Sequence, residues 1–380
     1  MAEKATTRLM GSLDEVRWDI WLATATIGLV VFGTVMIYSA SGYVAQERFG
    51  DAHHFLVRQV AWVLLGLLAM MMTMRIDYRH YWNLPVVYGL LGVSVVLLGL
   101  VFFFPARNHA HRWISFGSWA SAQPSEMAKI ALAIFLARFL SVREQEGETG
   151  NFLTTVIPAS VVTGGLAVLI IKEPDLGTTL MLGAIFLAMM FASGVRVLHL
   201  LSFTPLLLVA FYFYIFRVGW RWDRILIFLN PESDPRDKGF QVLQSLIAVG
   251  SGGLSGLGLG EGRQKMLYLP EPHADFIFAV VSEELGLIGA VTLVLAFGFL
   301  LWRGLLVSRR APDRFGQLLA LGLTVMLVAQ AFFNISVVLS LVPNKGIPLP
   351  FVSAGGSSLL FTLAAIGILL NISEKGTKKG

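Results

Sequence analysis

Among the ionisable residues of this chain, Asp275 is the one whose setting points most directly to chemistry. It lies in the stretch 269–289, LPEPHADFIFAVVSEELGLIG, where a polar run containing Pro270, Glu271, Pro272 and His273 stops at Phe276 and an apolar run begins. Asp275 therefore falls where water gives way to hydrocarbon, in the first turn of a predicted membrane helix. Glu283 and Glu284 follow two to two and a half turns deeper, at ~3.6 residues per turn. Ionisable groups inside a span are expensive and mark a functional site by default. Asp is also a favoured helix N-cap, so the competing role for Asp275 is a cap. The neighbouring His273, the two prolines and the deeper Glu pair weigh toward chemistry at Asp275.

Four further clusters supply charge. Arg112 precedes Gln123-Pro124-Ser125-Glu126 and Lys129, and Pro124 suits the first turn of a helix. Glu126 and Lys129, three residues apart, share a helical face and can pair. Lys129 either snorkels outward or pairs inside the bundle, and a Lys129–Asp275 contact is a further expectation. Lys172-Glu173-Pro174-Asp175 forms a turn in which Asp175 is better suited to capping the next helix than to catalysis. Arg217, Arg221, Asp223 and Arg224 accompany Trp220 and Trp222 where a span leaves the membrane. Arginine forks match pyrophosphate oxygens, whereas the tryptophans suit interfacial anchoring. Arg263 and Lys265, and Lys345 ahead of the small residues at 353–358, are other candidates for an anionic headgroup.

Metal motifs are missing from the sequence: no Cys is present, and His53, His54, His109 and His111 follow no ligand pattern. A divalent cation, Mg or Mn, held jointly by pyrophosphate and carboxylates leaves little sequence trace and stays open. No Gly-x-Ser-x-Gly elbow occurs.

The elements that must position these residues are membrane helices. The 380 residues are 56% hydrophobic and 14% charged, with mean hydropathy +0.71. Soluble domains carry about 25% charged residues, so the composition is that of a polytopic membrane protein. The net charge of +5 is scattered through short loops, which speaks against a nucleic-acid face. About ten apolar segments can cross a ~30 Å core: 20–40, 56–74, 83–104, 124–141, 153–171, 177–193, 198–216, 276–302, 316–338 and 355–372. With the N-terminus inside, fifteen Lys and Arg fall on inner segments and six on short outer loops. Both termini are then cytoplasmic, and Asp275 faces outward.

This reading divides the chain into a cytoplasmic tail over 1–19, an all-α transmembrane domain over 20–372 and a C-terminal tail over 373–380. A large extracytoplasmic loop covers 218–274. Within it, 239–249 has the spacing of an amphipathic interfacial helix. The Gly-rich run at 250–262 lacks the frame of a phosphate-binding loop and reads as a flexible turn.

The motifs carry a resemblance over nearly the whole chain. YSAS at 38–41, RWI at 112–114, QPSEMAK at 123–129 and EPDLGTT at 173–179 are followed by FQVLQSLIAVGSGGLSGLGLG at 240–260. RQKMLYLPEPHADFIFAVVSEELGLIGA at 263–290 and PNKGIPLPFVSAGGSSLL at 343–360 complete the set. In this order they resemble the SEDS proteins (shape, elongation, division and sporulation), closer to the division branch than to the elongation branch. Departures include Ala274 beside the Asp, Ala354 in place of a common Tyr, and His-Ala-His before Arg112. The resemblance implies a SEDS-type bundle of about ten spans. It also implies a peptidoglycan glycosyltransferase polymerising lipid II on the outer face of the bacterial cytoplasmic membrane, at the division septum, beside a class B penicillin-binding protein and other division proteins. Asp275 is then the base, and Arg112, Glu126, Lys129, Lys172, Arg221, Arg224, Arg263, His273 and Lys345 are candidates to bind substrate. A lipid II flippase using Lys129, Glu283 and Glu284 is the alternative from another class, and a non-catalytic scaffold is the third.

Overall fold

The computed structural model describes residues 18–105, 110–117, 120–216, 219–234, 239–266, 269 and 271–377. Thirteen α-helices are found among them. They are α1 (Ile20–Phe49), α2 (His54–Arg75), α3 (Leu84–Leu100), α4 (Pro124–Gln145), α5 (Ile157–Lys172), α6 (Leu176–Ala192), α7 (Val197–Leu201) and α8 (Thr204–Phe216). After these come α9 (Gly219–Leu229), α10 (Phe240–Ser251), α11 (Ile277–Arg310), α12 (Arg314–Val338) and α13 (Gly356–Thr377). A two-stranded antiparallel hairpin, β1 (Ile114–Phe116) and β2 (Ala120–Ala122), precedes α4.

Seven helical segments are long and apolar enough to cross a membrane. The remaining three expected spans coincide with α4, which carries Glu126, Lys129 and Arg138, with the 17-residue α6, and with α8. The architecture is thus an all-α membrane bundle. Helix α13 continues through Thr377, past residue 372.

Local chemistry explains the helix ends. The Asp19 carboxylate caps α1 by accepting from Leu22 N at 2.9 Å, and Asp313 caps α12 through Gly316 N at 2.8 Å. Pro124 opens α4 at a position where no N–H is needed. The start of α1 and the last turns of α13 meet at one end of the bundle: Asp19 N donates to Ser373 Oγ, and Arg303 pairs with Asp19 at 2.6 Å. A groove of ≈ 750 Å³ opens at this end, among Trp18, Arg303 and Ser373, far from Asp275.

Helix α11 is broken, and the break overturns one expectation. Gly286 has φ 65° and ψ −165°, outside the helical region. It sits nine residues beyond Ile277, about 14 Å along the axis at ~1.5 Å per residue. The Gly-rich run fills the gap instead of forming a flexible turn. Leu257 N and Gly258 N donate to the carbonyls of Glu283 and Glu284, both at 3.0 Å, and Leu287 N donates to Gly253 O at 2.9 Å. Irregular backbone at membrane depth is tolerated where protein satisfies its polar groups, as here.

A Cβ on Gly286 would lie 2.3 Å from Gly256 N and 2.5 Å from Leu254 O. Gly286→Ala is therefore expected to destabilise the protein by about 1–3 kcal/mol, through the unfavourable φ alone and before any clash is counted. Thermal unfolding in detergent measures it, and an unchanged midpoint would contradict the tight junction.

Candidate active site at the end opposite the termini

Asp275 lies one residue before Phe276, the N-cap position of α11, and no side chain caps that helix. Its carboxylate accepts no hydrogen bond among the described residues, so the capping role does not hold. What is fixed is its backbone. Ala354 N donates to His273 O at 2.9 Å, Ser353 Oγ to Ala274 O at 2.6 Å, and Asn334 Nδ2 to Asp275 O at 2.9 Å. Three consecutive carbonyls are thus held by α12 and by the loop leading to α13. That loop also closes on the side chain: a Cβ on Gly346 would stand 2.6 Å from Asp275 Oδ2. Burial, reinforced by Glu271, raises the Asp275 carboxyl to about 6; Arg112 pulls the other way and Asp175 adds a further upward push.

Arg112 is brought to this site by the turn between α5 and α6. Its Nε donates to Glu173 O at 3.1 Å and its Nη2 to Pro174 O. It makes no ion pair with a carboxylate among the described residues. Asp175 has the structural role: its carboxylate caps α6 through Thr178 N at 3.1 Å and accepts from Gln123 Nε2 at 3.0 Å. Glu173, between them, is fully buried with neither carboxyl oxygen bonded. Burial, then Asp175, pushes it up to about 9 against Arg112, so it is a neutral acid at pH 7 and leaves the arginine charge undiminished.

The expected Lys129–Asp275 contact is not made. The Lys129 ammonium is buried and already committed, to Glu126 Oε1 at 3.0 Å and Gln330 Oε1 at 2.5 Å. Gln330 in turn donates through Nε2 to Pro348 O at 3.0 Å. Lys129 and Glu126 therefore support the loop at 343–350 and do not salt-bridge the catalytic candidate.

The other predicted residues separate. His273 is buried, its Nε2 3.4 Å from Glu271, and burial holds its ring below the usual value, hence neutral. Arg224 reaches the same loop, Nη1 to Asn344 O at 3.3 Å. Lys345 is part-buried on that loop and Arg263 is exposed, while Lys172 is exposed at the end of α5. The Arg221 side chain lies outside the described residues. Glu283 and Glu284 are both anchors: Glu283 accepts from Arg263 N at 2.8 Å, and Glu284 from Lys265 Nζ at 2.5 Å, Ser39 Oγ and Gly260 N.

Gln330 and Asn334 are functional candidates that sequence reasoning missed. Their signal was present: two amides spaced i, i+4 on one face of an apolar helix, where polar groups need partners.

The fold and site together define a polytopic helical membrane protein with an unbonded carboxylate at one end of its bundle. Residues 20–378 match the FtsW/RodA/SpoVE family, described as cell cycle protein. The chain is 44% identical over 375 residues to the "Probable peptidoglycan glycosyltransferase FtsW" of Geobacter metallireducens, covering 96% of this chain and 98% of that one. It is 41% identical to stage V sporulation protein E of Bacillus subtilis, covering 94% and 97%. Among solved structures, a chain from work on "Structural coordination of polymerization and crosslinking by a peptidoglycan synthase complex" superposes with TM-score 0.77 at 30% identity, covering 94% of this chain and 98% of that one. The rod shape determining protein RodA of Thermus thermophilus superposes with TM-score 0.69 at 27% identity, covering 95% and 98%. The chain belongs to the FtsW/RodA/SpoVE family, the SEDS proteins.

Proposed function

We propose that this protein is a peptidoglycan glycosyltransferase that polymerises lipid II during septal wall synthesis, with Asp275 as general base. The observation carrying the assignment of the base is a carboxylate with a rigidly held backbone and unbonded oxygens, beside an arginine that no carboxylate neutralises. Asp275 takes the proton of the acceptor's 4-hydroxyl as that oxygen attacks the anomeric carbon of the growing chain. The bond to pyrophosphate breaks, and undecaprenyl pyrophosphate leaves with the electron pair. An α-linked donor then gives a β-linked product, an inversion that needs one base and no covalent enzyme intermediate. Arg112, with Lys345 on the adjoining loop and Arg224 reaching that loop from α9, offers charge to the departing pyrophosphate.

The basic residues at the terminal end, among them Arg75, Arg79, Arg303, Arg309 and Arg310, support a cytoplasmic position for that end and an outward one for Asp275. A relative solved in a peptidoglycan synthase complex supports a crosslinking partner, and we assign this to a class B penicillin-binding protein. Among the described residues no three His, Asp or Glu converge to cage a metal. A Mg or Mn ion would be held by the pyrophosphate oxygens and would supply neutralising charge there, with Asp275 left free to act as the base. The flippase reading loses its support, because Lys129, Glu283 and Glu284 are committed to internal hydrogen bonds.

A base works only when ionised, so the pH profile tests the assignment. With the Asp275 carboxyl raised to about 6, lipid II polymerisation by the purified protein and its partner should be half-maximal near that pH. Below it, the rate should fall about tenfold per pH unit, following the ionised fraction. Full activity at a pH two units lower would contradict the assignment.

A further inference from the structure

We propose that Asn334, on α12, is a positioning residue that sets the place of the Asp275 carboxylate; the proposal rests on the reading of Asp275 as the base. The Asp275 oxygens have no hydrogen bond of their own, so their location depends on the backbone behind them and the wall in front. Asn334 governs both. Its Nδ2 donates to Asp275 O at 2.9 Å and to Ile347 O at 2.7 Å. The first bond fixes the backbone that carries the carboxylate. The second fixes the residue next to Gly346, whose Cα side is so close that a Cβ would stand 2.6 Å from Oδ2.

One amide thereby sets the spacing between the base and the loop packed against it. Asn334 is itself buried, 1% exposed, and touches no solvent through which water could replace the bonds. Gln330, one turn away on the same helix, holds Pro348 O in the same loop and leaves the Asp275 backbone untouched. The two amides therefore divide the work: Gln330 supports the loop, and Asn334 links loop to base.

A group that positions a reacting atom changes turnover more than substrate binding, and a misplacement near 1 Å costs about 10²-fold. The test uses full-length protein with its partner, lipid II as substrate, and the variants Asn334→Ala, Gly346→Ala, their double, and Asp275→Asn. Asn334→Ala should lower kcat by about 10–100-fold and leave KM within about threefold. Gly346→Ala should act in the same direction. Since both disturb one spacing, the double variant should lose less than the product of the single losses.

A fold-holding role alone would reduce the folded fraction and leave kcat per folded molecule unchanged, and that result would overturn the proposal. So would losses that multiply in full. If Asn334→Ala does not fold, Asn334→Ser, which keeps one donor on a shorter stem, carries the same kcat and KM criterion. An inactive Asp275→Asn beside a fully active Asn334→Ala refutes the positioning role and leaves the base intact. An active Asp275→Asn removes the base, and the positioning proposal with it.

Discussion

Replacing Asp275 by Asn is expected to lower glycan-strand synthesis by ~10²–10⁴, the usual loss when a positioned base is removed, with the fold unharmed. The side chains are nearly the same size, and the carboxylate oxygens make no hydrogen bonds that an amide would break. The contacts that hold 273–275 are made by the backbone atoms of those residues, so Ala354, Ser353 and Asn334 keep their partners. What disappears is the capacity to accept a proton. Strand length and yield from lipid II, with thermal unfolding and partner binding measured on the same preparation, separate chemistry from folding. A variant that retains near-normal synthesis would remove Asp275 from the reaction.

The second large effect is one of stability. Lys265 and Glu284 pair at 2.5 Å with side chains 5% and 0% exposed, so solvent screens them little. Lys265→Met would strip the cation and leave the Glu284 carboxylate with only Ser39 Oγ and Gly260 N. Breaking one side of such a buried pair costs ~3–5 kcal/mol, a large share of a typical ~5–15 kcal/mol of total stability. Lys265→Met/Glu284→Gln should recover part of that loss, since no unpaired charge remains. Unfolding midpoints in detergent check the order wild type, double variant, single variant. A single variant as stable as the wild type would show that the node does not hold the Gly-rich segment to α11.

The value of this node was hidden from the sequence for a physical reason. Run length and hydropathy are local, and they locate α1 through α6 and α11 through α13 well. They also place Asp275 at a helix entrance. The Gly-rich run at 250–262 has no local preference that reveals its partner, because its hydrogen bonds go to carbonyls exposed by the break at Gly286, more than twenty residues further along. A glycine inside an apolar run looks the same whether the helix continues or breaks.

Lys129 shows the complementary failure. Its depth in α4 was legible, but its partner was not, since a reach toward Asp275 and a reach toward Gln330 are indistinguishable without the packing of α4 on α12. Asp175 as the α6 cap was legible because capping needs only a three-residue neighbourhood. Arg112 was found by its charge, but its seat on the carbonyls of Glu173 and Pro174 depends on two segments about sixty residues apart.

The most direct measurement is reconstitution of the purified wild-type protein with its partner in liposomes carrying fluorescent lipid II, following strand formation and leaflet distribution together. Ladders of glycan from lipid II in the leaflet that the Asp275 end faces, with no accelerated exchange between leaflets, are the predicted result. Rapid exchange without any polymer, or polymer formed only from the leaflet at the terminal end, would contradict it.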